Sequence, residues 1–176
     1  MKTLPVSDEE RQLEQRLLTL SKTMPNRQCV ALAKAAVSDT RTVREWRKGQ
    51  SVLERHWPAG TPIATFLNRE GEDSHLYDGG VGVGIPGNMT SHAAVLIGYV
   101  EASGDDPDGI LVFDQHGLLD GFRRMIYPVD HSLFGTSNAA NYYVIVDEDN
   151  LPIGGQSNPC WQHVVSSDKA DGVFVL

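Results

Sequence analysis

Apolar positions follow a helical period near the start of this chain and a strand-like pattern after it. Leu13, Leu17 and Leu20 form one stripe, with Leu18 beside it, which predicts an amphipathic helix over residues 7–23. Ser7 and Glu10 make a capping-box pair at its start, and Asp8, Glu9 and Glu10 place negative charge in its first turn. Met24-Pro25-Asn26 ends it. Asn26 is the expected N-cap of a second, alanine-rich helix that reaches Val37 and ends near Ser38-Asp39. Val43 to Lys48 reads as a brief helical turn closed by Gly49.

Beyond this point the pattern is strand and loop. Thr61 to Leu67 is a candidate strand with Pro62 near its start, where a missing N–H is tolerated. His92 to Val100, Ile110 to Asp114, Arg123 to Tyr127 and Tyr142 to Val146 read as four more strands separated by turn residues. This spacing suits an antiparallel sheet, because parallel strands need long helical crossovers. Asn68 to Asn88 is polar and rich in glycine, the expectation for a long loop just ahead of His92. Gly154 to Pro159 reads as loop, and Gly172 to Leu176 as a terminal strand. The whole, residues 1–176, is expected to be one domain: a helix over 7–23, a core over about 26–146 and an extension over 147–176.

Composition narrows the function classes. The chain has 176 residues, 22% charged and 40% hydrophobic, with a net charge of −8. A nucleic-acid binder needs a basic stripe to neutralise phosphates, and docking on anionic lipid needs the same sign. No nucleic-acid partner is expected. No apolar run approaches the roughly 20 residues of a membrane span, so no membrane insertion is expected. Residues 1–10 are acidic and lack an apolar segment of the kind found in secretory signals. The expected location is therefore the cytoplasm, or export by a route that reads no such signal. The two cysteines, Cys29 and Cys160, are too few for a metal cluster; they are expected to be free thiols, the lesser alternative being a Cys29–Cys160 disulfide that would silence thiolate chemistry.

Candidate chemistry lies in three segments. Cys29 opens the second helix directly after Gln28. A thiol in a first helical turn faces the positive end of the helix dipole, which favours the thiolate. The bland alternative is a small buried hydrophobe, but a neighbouring amide that can donate to an oxyanion is more than packing requires. Ser91-His92 opens an apolar strand, so the His92 ring is held at a sheet end by a rigid backbone. His116 is the main competitor; His75 falls in the long loop, and His56, His131 and His163 sit in polar surroundings. Asp114 closes Ile-Leu-Val-Phe on the next strand, where a carboxylate can fix the imidazole tautomer. Gln115 is the alternative orienter if the register slips by one residue.

Nucleophile, base and orienter thus run in the order Cys29, His92, Asp114. Gln28, Gln115 and Ser91 are expected to meet the oxyanion or the substrate, and the Cys29 N–H is a further candidate donor. Gly79 to Gly84 imitates a dinucleotide fingerprint, but no strand precedes it and no helix follows. Tyr142 and Tyr143 read as sheet-face packing rather than groove residues. No metal or organic cofactor is expected.

At Arg27-Gln28-Cys29, Ser91 to Val95 and Val112 to Gln115 the chain resembles the CHAP and NlpC-like amidases of the papain-like superfamily. It departs from the CHAP pattern at Arg27 and Ser91, where glycine is common, and at Asp114, where glutamate is usual. Trp46 to Gly49, Gly60 to Phe66 and Phe113 to Gln115 bring it close to type VI secretion amidase effectors. The resemblance implies an α+β, papain-like fold, with N-terminal helices packed on an antiparallel sheet. It also implies cysteine-dependent cleavage of an amide bond in peptidoglycan stem peptides or cross-links, near D-glutamate and meso-diaminopimelate. Delivery into a rival's periplasm and a cognate immunity protein are implied as well. The rival readings are an inactive binding module on the same fold, and an acyltransferase or transglutaminase using the same three residues.

Overall fold

The computed structural model describes residues 7–23, 28–68, 70–78, 90–100, 107–115, 122–133 and 135–154. Among the described residues two α-helices, α1 (Asp8–Thr23) and α2 (Cys29–Ala36), precede six strands: β1 (Arg47–Ser51), β2 (Pro62–Thr65), β3 (Ala93–Val100), β4 (Gly109–Gln115), β5 (Phe122–Pro128) and β6 (Tyr142–Val146). The strands form one sheet in the order β1-β6-β2-β3-β4-β5, antiparallel at every pairing. This is the α+β arrangement expected from the sequence.

Local chemistry explains the element ends. The Ser7 N–H donates to Glu10 Oε2 at 2.8 Å, and the Glu10 N–H donates to Ser7 Oγ at 3.2 Å, the reciprocal box expected at the start of α1. At α2 the expectation is corrected: Gln28, not Asn26, occupies the N-cap position, so Cys29 is the first helical residue. The expected helical turn over Val43 to Lys48 is also corrected. It stops at Glu45, and Arg47 begins β1. The edge strand β1 has little apolar pattern of its own. It is held by pairing with β6, Arg47 opposite Val146 and Lys48 opposite Ile145. Gly49 is therefore not a helix stop. A Cβ there would lie 2.6 Å from Val146 Cγ1 and 2.7 Å from the Val144 carbonyl oxygen, so the close approach of two strands requires glycine.

The central strands are apolar in unbroken runs because both sheet faces are buried. On one face, Ala93, Val95, Ile97 and Phe113 pack against Leu17 of α1 and Leu32, Ala33 and Ala36 of α2, with Trp46 and Phe66 beside them. On the other, Ala94, Leu96, Ile110 and Val112 pack with Val52, Trp57, Tyr127, Tyr142 and Val144. The segment after β6 joins the helix-side core. The Ile153 N–H donates to the Ile145 carbonyl at 3.0 Å, and Ile153 is buried. Ile153 alone of residues 147–154 is buried there, while Glu148 to Leu151 are exposed. The expected strand over Gly172 to Leu176, the glycines from Gly79 to Gly87, His116, Cys160 and His163 lie outside the described residues.

Pairing registers place the ends of β3, β4 and β5. A bulge between Leu96 and Gly98 shifts β3 by one residue against β4, so Val95 faces Phe113 while Gly98 faces Leu111. The start of β3 is thereby brought beside the end of β4. At the far end of β4, Gly109 pairs with Pro128, and a Cβ on Gly109 would lie 2.5 Å from the Tyr127 carbonyl oxygen. Gly109→Ala is expected to cost on the order of 1–3 kcal/mol, because backbone rather than a movable side chain must yield. Thermal unfolding of the variant checks this, and an unchanged midpoint would show that β5 shifts freely.

Candidate active site

The backbone of His92 is fixed before its ring does anything. Its N–H donates to Thr65 Oγ1 at 2.9 Å, and its carbonyl accepts from the Thr65 N–H at 2.9 Å. The Thr65 hydroxyl in turn donates to the Thr90 carbonyl at 2.9 Å. β2 thus clamps the residue just before β3, and the imidazole projects from a rigid end.

His92 and Asp114 lie on the same sheet face, diagonal neighbours on adjacent strands, which is within reach for long side chains. His92 Nε2 and Asp114 Oδ1 are 2.8 Å apart, with both side chains buried. Asp114 is therefore the partner of the imidazole. Gln115, the alternative orienter, points to the opposite face, as the alternation from Phe113 requires. The second carboxylate oxygen, Oδ2, accepts a hydrogen bond from the Tyr127 hydroxyl at 2.8 Å.

The first residue of α2 reaches the same end of the sheet. The Cys29 side chain, half-buried and free of any disulfide, interacts with the His92 ring and with the backbone N–H groups of Ala93 and Val30. With Nε2 committed to Asp114, Nδ1 is the ring nitrogen left to serve the thiol. Burial opposes thiolate formation, but the hydrogen bond to His92, the charge of His92 and the two backbone donors outweigh it and hold the Cys29 pKa below the ordinary thiol value. Burial likewise opposes the imidazolium. Hydrogen bonds to Asp114 and Cys29, and their negative charges, overcome it and lift His92 to about 9. Both shifts run in the direction of a thiolate–imidazolium pair.

The remaining expected residues are distributed around this centre. Gln28 is exposed at the N-cap, next to Cys29. Ser91 is buried beside the Tyr77 hydroxyl, which also reaches Cys29. Burial, foremost, and the neighbouring thiolate push the Tyr77 phenol well above its ordinary range, so it stays protonated and remains a donor. Gln115 is fully buried, and neither atom of its side-chain amide has a hydrogen-bond partner among the described residues. Extending the β3–β4 register sets it opposite Ala93, the residue whose N–H meets Cys29.

Other histidines stand apart. His56 is exposed and stacks on Tyr99 with ring centroids 4.4 Å apart, and His75 and His131 are exposed. Tyr142 is a sheet-face packing residue, as the sequence suggests: it is fully buried, and its hydroxyl donates to the Thr136 carbonyl at 2.9 Å. Sequence reasoning missed Thr65, Tyr77 and Tyr127. Tyr127 alone left a usable trace, a lone hydroxyl in a strand expected to lie near the one carrying Asp114.

Comparison with known proteins decides the family. The sequence profile described as "Domesticated amidase effector 2" (Dae2) matches residues 6–145 of the 176. The chain belongs to the domesticated amidase effector 2 family. Among solved structures it is similar to "Type 6 secretion amidase effector 2 (Tae2)", at 24% identity and a TM-score of 0.50 over 71% of this chain and 85% of that one. At that identity the likeness speaks for the fold, which is papain-like, as the resemblance at the three motif segments implies. Among curated protein sequences nothing matches significantly. The Dae2 match spans Cys29, His92 and Asp114 alike.

Proposed function

We propose that this chain is a cysteine amidase that cleaves an amide bond in peptidoglycan stem peptides or cross-links, in the D-glutamate and meso-diaminopimelate region. The observation that carries the reading is a buried imidazole whose Nε2 is 2.8 Å from a buried carboxylate and whose ring interacts with the thiol at the start of α2. Membership of the Dae2 family supports the substrate class. The thiolate of Cys29 attacks the amide carbonyl. The Cys29 N–H and Gln28, at the positive end of α2, receive the oxyanion. His92 gives its proton to the leaving amine, and Asp114 keeps the ring oriented throughout. Water, with its proton taken by His92, then splits the thioester and releases the acid. Delivery to the periplasm of a target cell and restraint by a cognate immunity protein belong to the same reading.

The lowered thiol pKa favours an enzyme over a binding module that merely retains a cysteine, since packing alone would raise it. The experiment is a digest of purified Gram-negative peptidoglycan, with muropeptides resolved by mass spectrometry. Loss of a defined stem-peptide or cross-linked species, with the matching acid product, names the bond. Added amine separates hydrolysis from acyl transfer. Unchanged muropeptides across mildly acidic to neutral pH under reducing conditions would refute the assignment.

Gln115 joins the site as a substrate contact. A buried amide with both atoms unpaired costs about 1–3 kcal/mol, a cost expected where a ligand supplies the missing partners. Gln115→Leu is expected to hold or raise thermal stability while lowering hydrolysis about tenfold or more, through KM. Parallel melting and turnover measurements check it. Full activity in the leucine variant would remove Gln115 from the site.

A further inference from the structure

We infer that Tyr127 is a positioning residue of this site, acting on the Cys29–His92 pair through Asp114; the inference rests on the reading of Cys29, His92 and Asp114 proposed above. Asp114 is fully buried, and among the described residues each of its carboxylate oxygens meets a different side chain. Oδ1 meets His92 Nε2 at 2.8 Å, and Oδ2 accepts from the Tyr127 hydroxyl at 2.8 Å. A hydrogen bond from a neutral donor to an ionised carboxylate is charge-assisted, and it favours the charged form. The phenol also fixes the rotation of the carboxylate, since with Oδ2 held, Oδ1 is aimed at the imidazole.

The tyrosine is itself held. Tyr127 is nearly buried, and its ring stacks on Tyr142 with centroids 5.2 Å apart and planes 14° from parallel. Tyr142 is anchored in turn through its hydroxyl to the Thr136 carbonyl. Packing alone requires none of this chemistry at the hydroxyl, because phenylalanine would fill the same stack. The hydroxyl is placed where it alters a carboxylate that alters the imidazole, and the imidazole alters the thiol. Without it, Asp114 takes up a proton at higher pH, the imidazolium loses its counter-charge, and the thiolate becomes harder to form.

Tyr127→Phe keeps the ring and removes the donor. The probe is iodoacetamide, whose rate of alkylation at Cys29 follows the thiolate fraction and needs no substrate. The midpoint of the rate-against-pH curve is expected to move up by about half a unit or more, a threefold or larger loss of rate on the acid limb. In an Asp114→Asn background the same substitution is expected to add no further shift. A purely structural role would lower the melting temperature and leave the midpoint in place, and that result overturns the inference. So would a full additional shift in the Asp114→Asn background. A wild-type midpoint at the ordinary thiol value would instead refute the reading of the Cys29 centre itself, which keeps the two failures apart. A readout that needs no variant is the Tyr127 phenolic proton, followed by NMR in the wild-type chain. It is expected to shift with the acid midpoint of alkylation, and a signal constant through that range also overturns the inference.

Discussion

Cys29→Ala is expected to reduce peptidoglycan hydrolysis by at least about a thousandfold while leaving the fold in place. The substitution removes one sulfur from the first residue of α2, a helix that already contains Ala31, Ala33, Ala35 and Ala36. Alanine is the best helix former, and the thiol is only half-buried, so the stability change should stay within about 1 kcal/mol. The chemistry has no substitute. Tyr77 reaches the thiol, and Ser91 lies beside Tyr77, but the Tyr77 phenol is held protonated and an ordinary serine hydroxyl does not ionise at neutral pH. Muropeptide analysis with matched melting curves measures both quantities. An alanine variant that folds and retains more than about one hundredth of the activity would show that the nucleophile is elsewhere.

His92→Ala is expected to approach the same loss for a different reason, because it removes the proton acceptor and donor together. The variant should fold, since both hydrogen bonds between His92 and the Thr65 backbone and hydroxyl are made by the His92 backbone. Its signature is in pH dependence. In the wild type the Cys29 pKa is lowered and the His92 pKa is raised to about 9. The thiolate therefore exists above the lowered thiol pKa, and the imidazolium exists below about 9. Between these limits the pair is formed, and hydrolysis should rise as pH passes the lowered thiol pKa and fall as pH rises through about 9. The same sign holds for stability. The contribution of a protonated His92 is fully present below the unfolded histidine value and is lost as pH rises through the folded one. In His92→Ala the alkylation midpoint of Cys29 should rise toward that of an ordinary thiol. A midpoint that stays low would mean that the helix end and the backbone donors, not the histidine, activate the sulfur.

Much of this arrangement is legible in the amino-acid sequence, for reasons that can be named. The α1 box is local, three residues from Ser7 to Glu10, and local signals survive folding. Central strands such as β3 and β6 show as apolar runs because both of their faces are buried. His92 and Asp114 could be paired because one begins and the other nearly ends neighbouring antiparallel strands. What was not legible depends on contacts between distant residues. β1 has the composition Arg-Lys-Gly-Gln-Ser, which carries no strand signal, and it becomes a strand only because β6 offers an edge. The insertion of β6 between β1 and β2 leaves no local trace. The bulge at β3 is equally silent, although it sets the register that brings His92 toward Asp114. The clamp by Thr65 and the hydroxyls of Tyr77 and Tyr127 are residues of ordinary strand and loop type whose chemistry appears only once the sheet end is assembled.

The central claim is that the sulfur of Cys29 carries the acyl group between the two halves of the reaction. The most direct measurement is acid quenching of wild-type protein during turnover of a purified stem peptide, followed by tryptic mass spectrometry. Trypsin cuts after Arg27 and Lys34, so Cys29 lies in the peptide Gln28 to Lys34. The account predicts that peptide with an added mass equal to the acyl half of the substrate. It also predicts that the adduct decays as acid product appears and is absent from Cys29→Ala. Product formed at full rate with that peptide never modified, when turnover is sampled from its first cycle, would contradict it.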